Sequence, residues 1–408
     1  MGILTSLFTA VSGLSAYGNA LSITGNNVAN VGTVGYKSSR AAFADLVSAS
    51  LSGGTASDQV GLGVFLNDVQ GNFSQGSLTN TGKTLDLAID GNGFFQVRNA
   101  SGSNLYSRNG QFEVDSQGRV VDPSGFFLQG FQANAAGVIT GTVGDITITS
   151  TNAAPQATAN GTIVANLDAA AVVPAGAFSV TDPTTYNFST GMTIHDSLGG
   201  PHQLQFYFIK NAAANTWNLF RQIDGGAAVA ATNLVFNSSG VLTSGGSQAL
   251  SLPITGGAST PQAMTMDFTG MTQFGSRSTL LDQTQDGFAA GSFDRFSIDT
   301  DGQLVAQFTN GETRTLAQVV LNRFNNPDGL VRQGDNVFTE SVESGAAIQG
   351  ISGSNGLGRI VSGALEQSNV DLGKEFVDMI VNQRAFQANS RAITTSDEML
   401  QELLNLKR

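Results

Sequence analysis

The chain has 408 residues, 50 of them glycine and none cysteine, with 31 acidic against 19 basic side chains and a net charge of −12. The missing cysteines exclude disulfides, thiolate metal sites and thiol catalysis, and the acidic balance argues against nucleic acid or an anionic membrane as main partner. Hydrophobic residues at 40% still suffice for real cores, which excludes wholesale disorder, and no run of 18 apolar residues offers a membrane span.

At the N-terminus, Leu4, Leu7, Val11, Leu14, Leu21 and Val28 fall on an a/d heptad register, with Gly18 and Gly25 at the remaining seam positions. That spacing predicts a helix with one apolar stripe. Its glycines each cost roughly 1 kcal/mol against alanine, so the helix is expected to order only on meeting partner helices. The first charged residue is Lys37, so the basic n-region of a cleaved secretory signal is lacking. Met1 to Ser6 fits the short, degenerate myristoylation pattern, which is weak evidence by itself. The string Asn26-Asn27-Val28-Ala29-Asn30-Val31-Gly32-Thr33-Val34-Gly35-Tyr36-Lys37 follows. Asn30 and Gly32 suit a left-handed helix end, Gly35 a tight turn, and Tyr36 and Lys37 an anchor for a connector.

The pattern then switches to period two, predicting strands. Leu85, Leu87 and Ile89 alternate before the turn Asp90-Gly91-Asn92-Gly93, and Asn109-Gly110 reads as a hairpin. Asp or Asn, two residues, Gly, one residue and an aliphatic recur as Asp115-Gly118-Val120, Asn134-Gly137-Ile139, Asn237-Gly240-Leu242 and Asp299-Gly302-Leu304. Each predicts a type I turn closed by a left-handed glycine, the chemistry of an antiparallel β body. From Ile146 to Gln285 there are only nine charged residues and no glutamate, which marks an inserted domain.

The C-terminal stretch returns to helix. Ser368-Asn369-Val370-Asp371 resembles a capping box. Leu372, Phe376, Met379, Phe386, Ile393, Leu400 and Leu404 then hold one seam, interrupted by Gln383, Ser390 and Asp397. This helix has a charged face and is expected to pair with the first. The expected fold is mainly β with α-helical termini. The expected division is a terminal helical domain (1–30 and 369–408), a connector (31–70), an antiparallel β body built from two segments (71–145 and 286–368) and a second β domain inserted at 146–285.

The sequence offers no catalytic, cofactor-binding or metal site. It has no Gly-x-Ser-x-Gly, no Walker-type Gly-x-x-x-x-Gly-Lys-Ser/Thr loop and no Gly-x-Gly-x-x-Gly. His195 and His202 lack a third ligand and read as surface or packing residues. The run around Asp299 lacks the spacing of a calcium loop.

The Asn26–Lys37 string resembles the signature of the bacterial flagellar rod and hook axial proteins. The runs Asp86 to Phe95 and Tyr106 to Phe112, and the closing segment from Ser368 with Met379, Gln383, Arg384, Phe386 and Asn389, resemble further blocks of that family. The resemblance covers about 1–130 and 286–408, and the large insertion points to its hook members. It implies a non-enzymatic subunit that polymerises into a curved, hollow tube acting as a flexible joint between rod and filament. Terminal helices would line the tube. It implies rod, junction and cap proteins and the flagellar type III export apparatus as partners, and a place outside the cell in the hook, without a cleaved signal. A distal-rod-type axial protein is the alternative, and a secreted β-rich adhesin a more distant one.

Overall fold

The computed structural model describes residues 2–46, 61–148 and 152–406. The chain divides into two units, Met1–Thr149 with Phe296–Ala306 and Arg314–Arg408, and Ser150–Arg295 with Gln307–Thr313. Among the described residues no helix is long and apolar enough to cross a membrane.

In the first unit, helices α1 (Gly2–Ala29) and α2 (Leu372–Leu406) pack against each other. Polar rungs set them antiparallel: Ser6 Oγ lies 3.3 Å from Ser396 Oγ, Asn382 Nδ2 3.4 Å from Thr24 Oγ1, and Asn27 Nδ2 3.2 Å from the Glu375 carboxylate. Between the rungs the helices come close enough that a Cβ on Gly13 would lie 2.7 Å from Asn389 Oδ1. Asp371 caps α2, its Oδ1 accepting from the N–H groups of Gly373 (2.8 Å) and Lys374 (3.2 Å). The cap therefore falls at the end of the expected capping box and not at Ser368, whose hydroxyl accepts only from Val370 N–H. At the end of α1, Asn30 and Gly32 do not turn left-handed as the sequence suggested. Asn30 instead donates from Nδ2 to Asn26 O at 2.9 Å, and the left-handed residue is Gly35 at φ +68°.

Two strands leave this end as an antiparallel hairpin, β1 (Ser39–Asp45) and β2 (Val64–Gly71), pairing Ser39 with Gly71 and Asp45 with Val64. Val64 N–H donates to Ser12 Oγ at 3.1 Å, and the Tyr17 and Phe43 rings meet at 5.6 Å, holding the hairpin along α1. The body sheet runs through Thr313–Val319, Phe127–Ala133, Phe94–Arg98, Asn104–Ser107, Val337–Thr339 and Val331–Gly334. Its aromatic core joins Phe94, Tyr106, Phe324 and Phe338 in edge-on pairs such as Tyr106–Phe324 at 4.8 Å, a favoured ring geometry.

The four repeated turn motifs share one geometry. Asp115, Asn134, Asn237 and Asp299 each accept from the backbone two and four residues on, as Asp115 Oδ1 does from Gln117 (2.8 Å) and Arg119 (2.9 Å). Gly118, Gly137, Gly240 and Gly302 all sit near φ +80°. Asp122 with Gly125 and Asp196 with Gly199 use the same device. The aliphatic requirement hid them, because Phe127 and Pro201 stand where the pattern asks for an aliphatic. Asn109-Gly110 is not a hairpin: a Cβ on Gly110 would overlap Leu87 O, and Gly110 O accepts from Leu87 N–H at 2.9 Å. The glycine is there for close passage of two backbones.

The second unit has a five-stranded and a six-stranded sheet over a core containing Trp217, Phe206, Phe208 and Phe268, all fully buried. Asn160–Asp168 pairs parallel with Gln262–Asp267 and Thr272–Phe274 and antiparallel with Thr279–Gln285. Trp217 Nε1 donates to Gln273 Oε1 at 2.8 Å, which satisfies the one polar atom of a buried indole.

Candidate functional site

The densest polar constellation in the first unit lies where both terminal helices leave the β body. Asn27, 1% exposed, uses its whole amide. Its Oδ1 accepts from Ser39 N–H (2.9 Å) and Tyr36 OH (3.3 Å), and its Nδ2 donates to Ser39 O (2.7 Å) and Glu375 (3.2 Å). One side chain thus ties α1, β1 and α2 together. Asn26 Nδ2 donates to Tyr36 OH at 3.2 Å. Burial pushes the Tyr36 phenol above its ordinary pKa, and the Arg332 guanidinium, 5.5 Å above the ring, opposes this. Gly35 presses on the body: a Cβ there would sit 2.5 Å from Arg108 C. Asn336 Nδ2 and Arg332 Nη2 each grip the loop by a carbonyl, Val34 O and Lys37 O, at 2.7 Å.

Behind this knot lies a buried ion triad. Lys37 Nζ donates to Glu366 Oε1 at 2.6 Å and to Ser74 O at 2.7 Å. Arg108 Nη1 reaches Glu366 Oε2 at 3.2 Å, Arg108 Nη2 donates to Gly91 O at 2.9 Å, and Gly76 N–H donates to Glu366 Oε1 at 2.8 Å. The Lys37 and Glu366 side chains have no exposure to solvent. Burial pulls the Lys37 ammonium below the ordinary lysine pKa, with Glu366 pulling back; burial lowers Arg108 likewise. Buried ions hold together only when their remaining valences are satisfied, and here backbone carbonyls and an N–H satisfy most of them. Asn369 completes the joint, its Oδ1 accepting from Ser38 N–H and its Nδ2 donating to Asn72 O, both at 2.8 Å. The constellation fixes where α1 exits and α2 enters. It presents no nucleophile paired with a base, and among the described residues no cluster of His, Asp or Glu could hold a metal.

All six motif residues, Asn26, Asn27, Asn30, Gly35, Tyr36 and Lys37, lie at this joint. Sequence reasoning missed Glu366, Arg332 and Asn336. Arg108 and Asn369 stood inside quoted blocks with no role attached. No local signal marks Glu366, which sits in a short apolar strand 329 positions from Lys37.

The seam residues are placed less simply. α2 faces α1 with Glu375, Met379, Asn382, Phe386, Asn389, Ile393, Ser396 and Leu400, and α1 faces α2 with Ala10, Gly13, Ala16, Ala20, Thr24 and Asn27. The expected α1 seam is rotated one residue from this line. Leu7, Leu14 and Leu21 are half-buried, and Leu4 and Val11 are exposed. On α2, Leu372, Phe376 and Leu404 are exposed. On α1 mainly small residues meet the larger Met379, Phe386, Ile393 and Leu400 of α2, and at Gly13 the approach leaves no space for a side chain.

Four family models match segments of the chain: "Flagella basal body rod protein" over residues 7–37, "Flagellar hook protein FlgE/F/G D1 domain" over 88–165, "Flagellar basal body protein FlaE D2 domain" over 166–288, and "Flagellar basal body rod FlgEFG protein C-terminal" over 361–406. The flagellar hook protein FlgE of Salmonella typhimurium is 37% identical over 417 residues, covering 98% of this chain and 100% of the relative. That of Borreliella burgdorferi is 34% identical, covering 99% and 100%. The chain belongs to the flagellar hook protein family. The Helicobacter pylori flagellar hook protein FlgE2 shares the fold, with a TM-score of 0.56 over 71% of this chain and 100% of that one at 14% identity. In this hook-family chain the ion triad takes one residue from each of three matched segments: Lys37, Arg108 and Glu366.

Proposed function

We propose that the chain is the structural subunit of the bacterial flagellar hook, polymerising through its terminal helices into a curved hollow tube that carries torque from rod to filament as a flexible joint. In this reading residues 1–30 and 369–408 form the inner layer, 31–70 the connector, 71–145 and 286–368 the β body, and 146–285 the outer inserted domain. Leu4, Leu7, Val11, Leu14, Leu21, Leu372, Phe376, Met379, Phe386, Ile393, Leu400 and Leu404 are the polymerisation residues. The observation that carries the reading is the helix pair itself: small residues join it, and its large apolar side chains stay wholly or partly in water. An exposed apolar surface of this kind marks an interaction site. The buried joint below the pair gives a fixed lever through which neighbours pull on the body. Export unfolded through the flagellar type III apparatus, and contacts with rod, junction and cap proteins, follow from the hook role. The charge-poor insert offers wet, re-formable outer contacts.

Negative-stain electron microscopy of the purified chain under polymerising conditions tests the reading. Curved tubes are expected. Straight, rigid tubes would favour a rod-type subunit, and a persistent monomer would contradict both.

A further inference from the structure

The outward apolar residues on the helix pair are not spread evenly. On α1 they occupy the first three turns, as Leu4, Phe8 and Val11, with Phe8 67% exposed; beyond them the outward positions Ser15, Asn19, Ser22 and Asn26 are polar. On α2 four of them cluster in the first three turns, as Phe376, Val377, Ile380 and Val381, with Val377 60% exposed; Arg384, Gln387 and Arg391 follow, and Met399 and Leu404 are exposed singly near the far end. Successive residues turn by about 100°. Both patches therefore point away from the line of rungs joining the helices, α1's to one side and α2's to the other. Because the helices run antiparallel, the patches also sit at opposite ends of the pair. The rungs Ser6–Ser396 and Asn27–Glu375 place them roughly 25 Å apart along the axis at ~1.5 Å per residue.

The geometry points to a head-to-tail contact in which the Leu4–Phe8–Val11 patch of one copy seats on the Phe376–Val377–Ile380–Val381 patch of the next. This inference rests on the polymer reading above and names the contact that builds it. Two unlike patches on opposite sides give a heterologous contact, which propagates as an open helix, whereas a self-complementary patch closes as a dimer. Neither patch contains a charged residue, so stacking them buries no unpaired ion. The combined area is modest. Seven side chains, each between 47% and 67% exposed, offer less than the ~1,200 Å² of a stable interface. One such contact alone does not hold two copies together, so dilute chains stay apart. An array in which every copy uses both patches, with lateral contacts besides, is stable.

The chain has no native cysteine, which makes the test clean. Phe8→Cys and Ile380→Cys chains are mixed, assembled into tubes and treated with a short bismaleimide. The expected result is a covalent dimer in the mixture, none in tubes of either variant alone, and a ladder of oligomers from the double variant. Dimers within single-variant tubes, or tubes of the mixture with no 8–380 product, would overturn the pairing while leaving the polymer reading intact. Failure of the unsubstituted chain to form any tube would overturn the polymer reading beneath it. Val11→Cys with Val377→Cys is the second pair, used if the first does not assemble, and the same product is expected.

Discussion

Glu366 receives Lys37, Arg108 and the Gly76 N–H on one carboxylate, so its loss strands two buried cations. Glu366→Gln is expected to destabilise the first unit by roughly 3–5 kcal/mol. Lys37→Met leaves Glu366 still held by Arg108 and Gly76 and is expected to cost only about 1–2 kcal/mol. Chemical denaturation of both variants measures the difference, and equal losses would contradict the triad's division of labour. A second residue-scale device sits in the other unit. His202 places Nδ1 2.6 Å from Asp224 Oδ2 and Nε2 3.1 Å from Asp196 Oδ2. Burial works against the charged ring, but the two carboxylates outweigh it and hold the His202 pKa above its ordinary value. The folded state then binds this proton more tightly than the unfolded chain. The resulting stability is fully present below pH ~6.5 and lost as pH rises through the raised folded pKa. His202→Gln should lower the stability of this unit by about 1–3 kcal/mol at pH 6 and by little at pH 9. Melting curves across that range check it, and a pH-independent loss would contradict the charged-ring account. Residue roles of this kind were only partly legible in the sequence. The Asp/Asn-x-x-Gly turns were readable because the whole device is local. Glu366 and His202 were not, because their partners arrive through the fold.

The helices were legible as elements and misread by one residue in rotation. Heptad reading follows the largest apolar side chains, and Leu4, Leu7, Val11, Leu14 and Leu21 formed the obvious line. The pair contact instead selects Ala10, Gly13, Ala16 and Ala20, because backbones this close leave space for nothing larger. Met379, Phe386, Ile393 and Leu400 do face α1, so on α2 four of the seven expected seam residues coincide with the contact line. In the proposed polymer the small-residue line of α1 meets its own partner and the leucine line the next copy, while Phe386 holds together the pair that presents both. Leu14→Gln or Phe386→Ser is therefore expected to abolish tube formation while the far-ultraviolet β signature and the melting of the body stay within about 0.5 kcal/mol of the parent, as for changes away from a core. Sedimentation after a polymerising shift reads the first and thermal unfolding the second. Normal tubes from either variant would contradict the assignment of that helix face.

At the scale of the whole molecule, the alternation of helical ends and β middle was readable from the change of period, and so was the existence of an insert from its charge depletion. The second unit runs past the expected 285, taking in residues to Arg295 and Gln307–Thr313. Strand pairing across its neck draws these in: Gln156 and Phe288 exchange N–H···O bonds at 3.0 Å, and Ala153 pairs with Gly291. Charge counting cannot see such pairing. The same neck gives a precise excision, replacement of residues 157–287 by an Asn-Gly turn. The shortened chain is expected to fold and to form tubes that are straighter or less stable; unchanged curvature would contradict the role given to the insert. We propose that the terminal helix pair is ordered by assembly. An uncharged, glycine-bearing α1 gains too little from its own small-residue contact to offset its chain entropy. Amide hydrogen exchange measured on dilute monomer and on tubes tests this most directly. Ala10–Ile23 and Met379–Ser396 are expected to exchange freely in the monomer, while strands such as Phe94–Arg98 stay protected, and both helices to become protected in the tube. Helix protection in the monomer equal to that of the β body would contradict it.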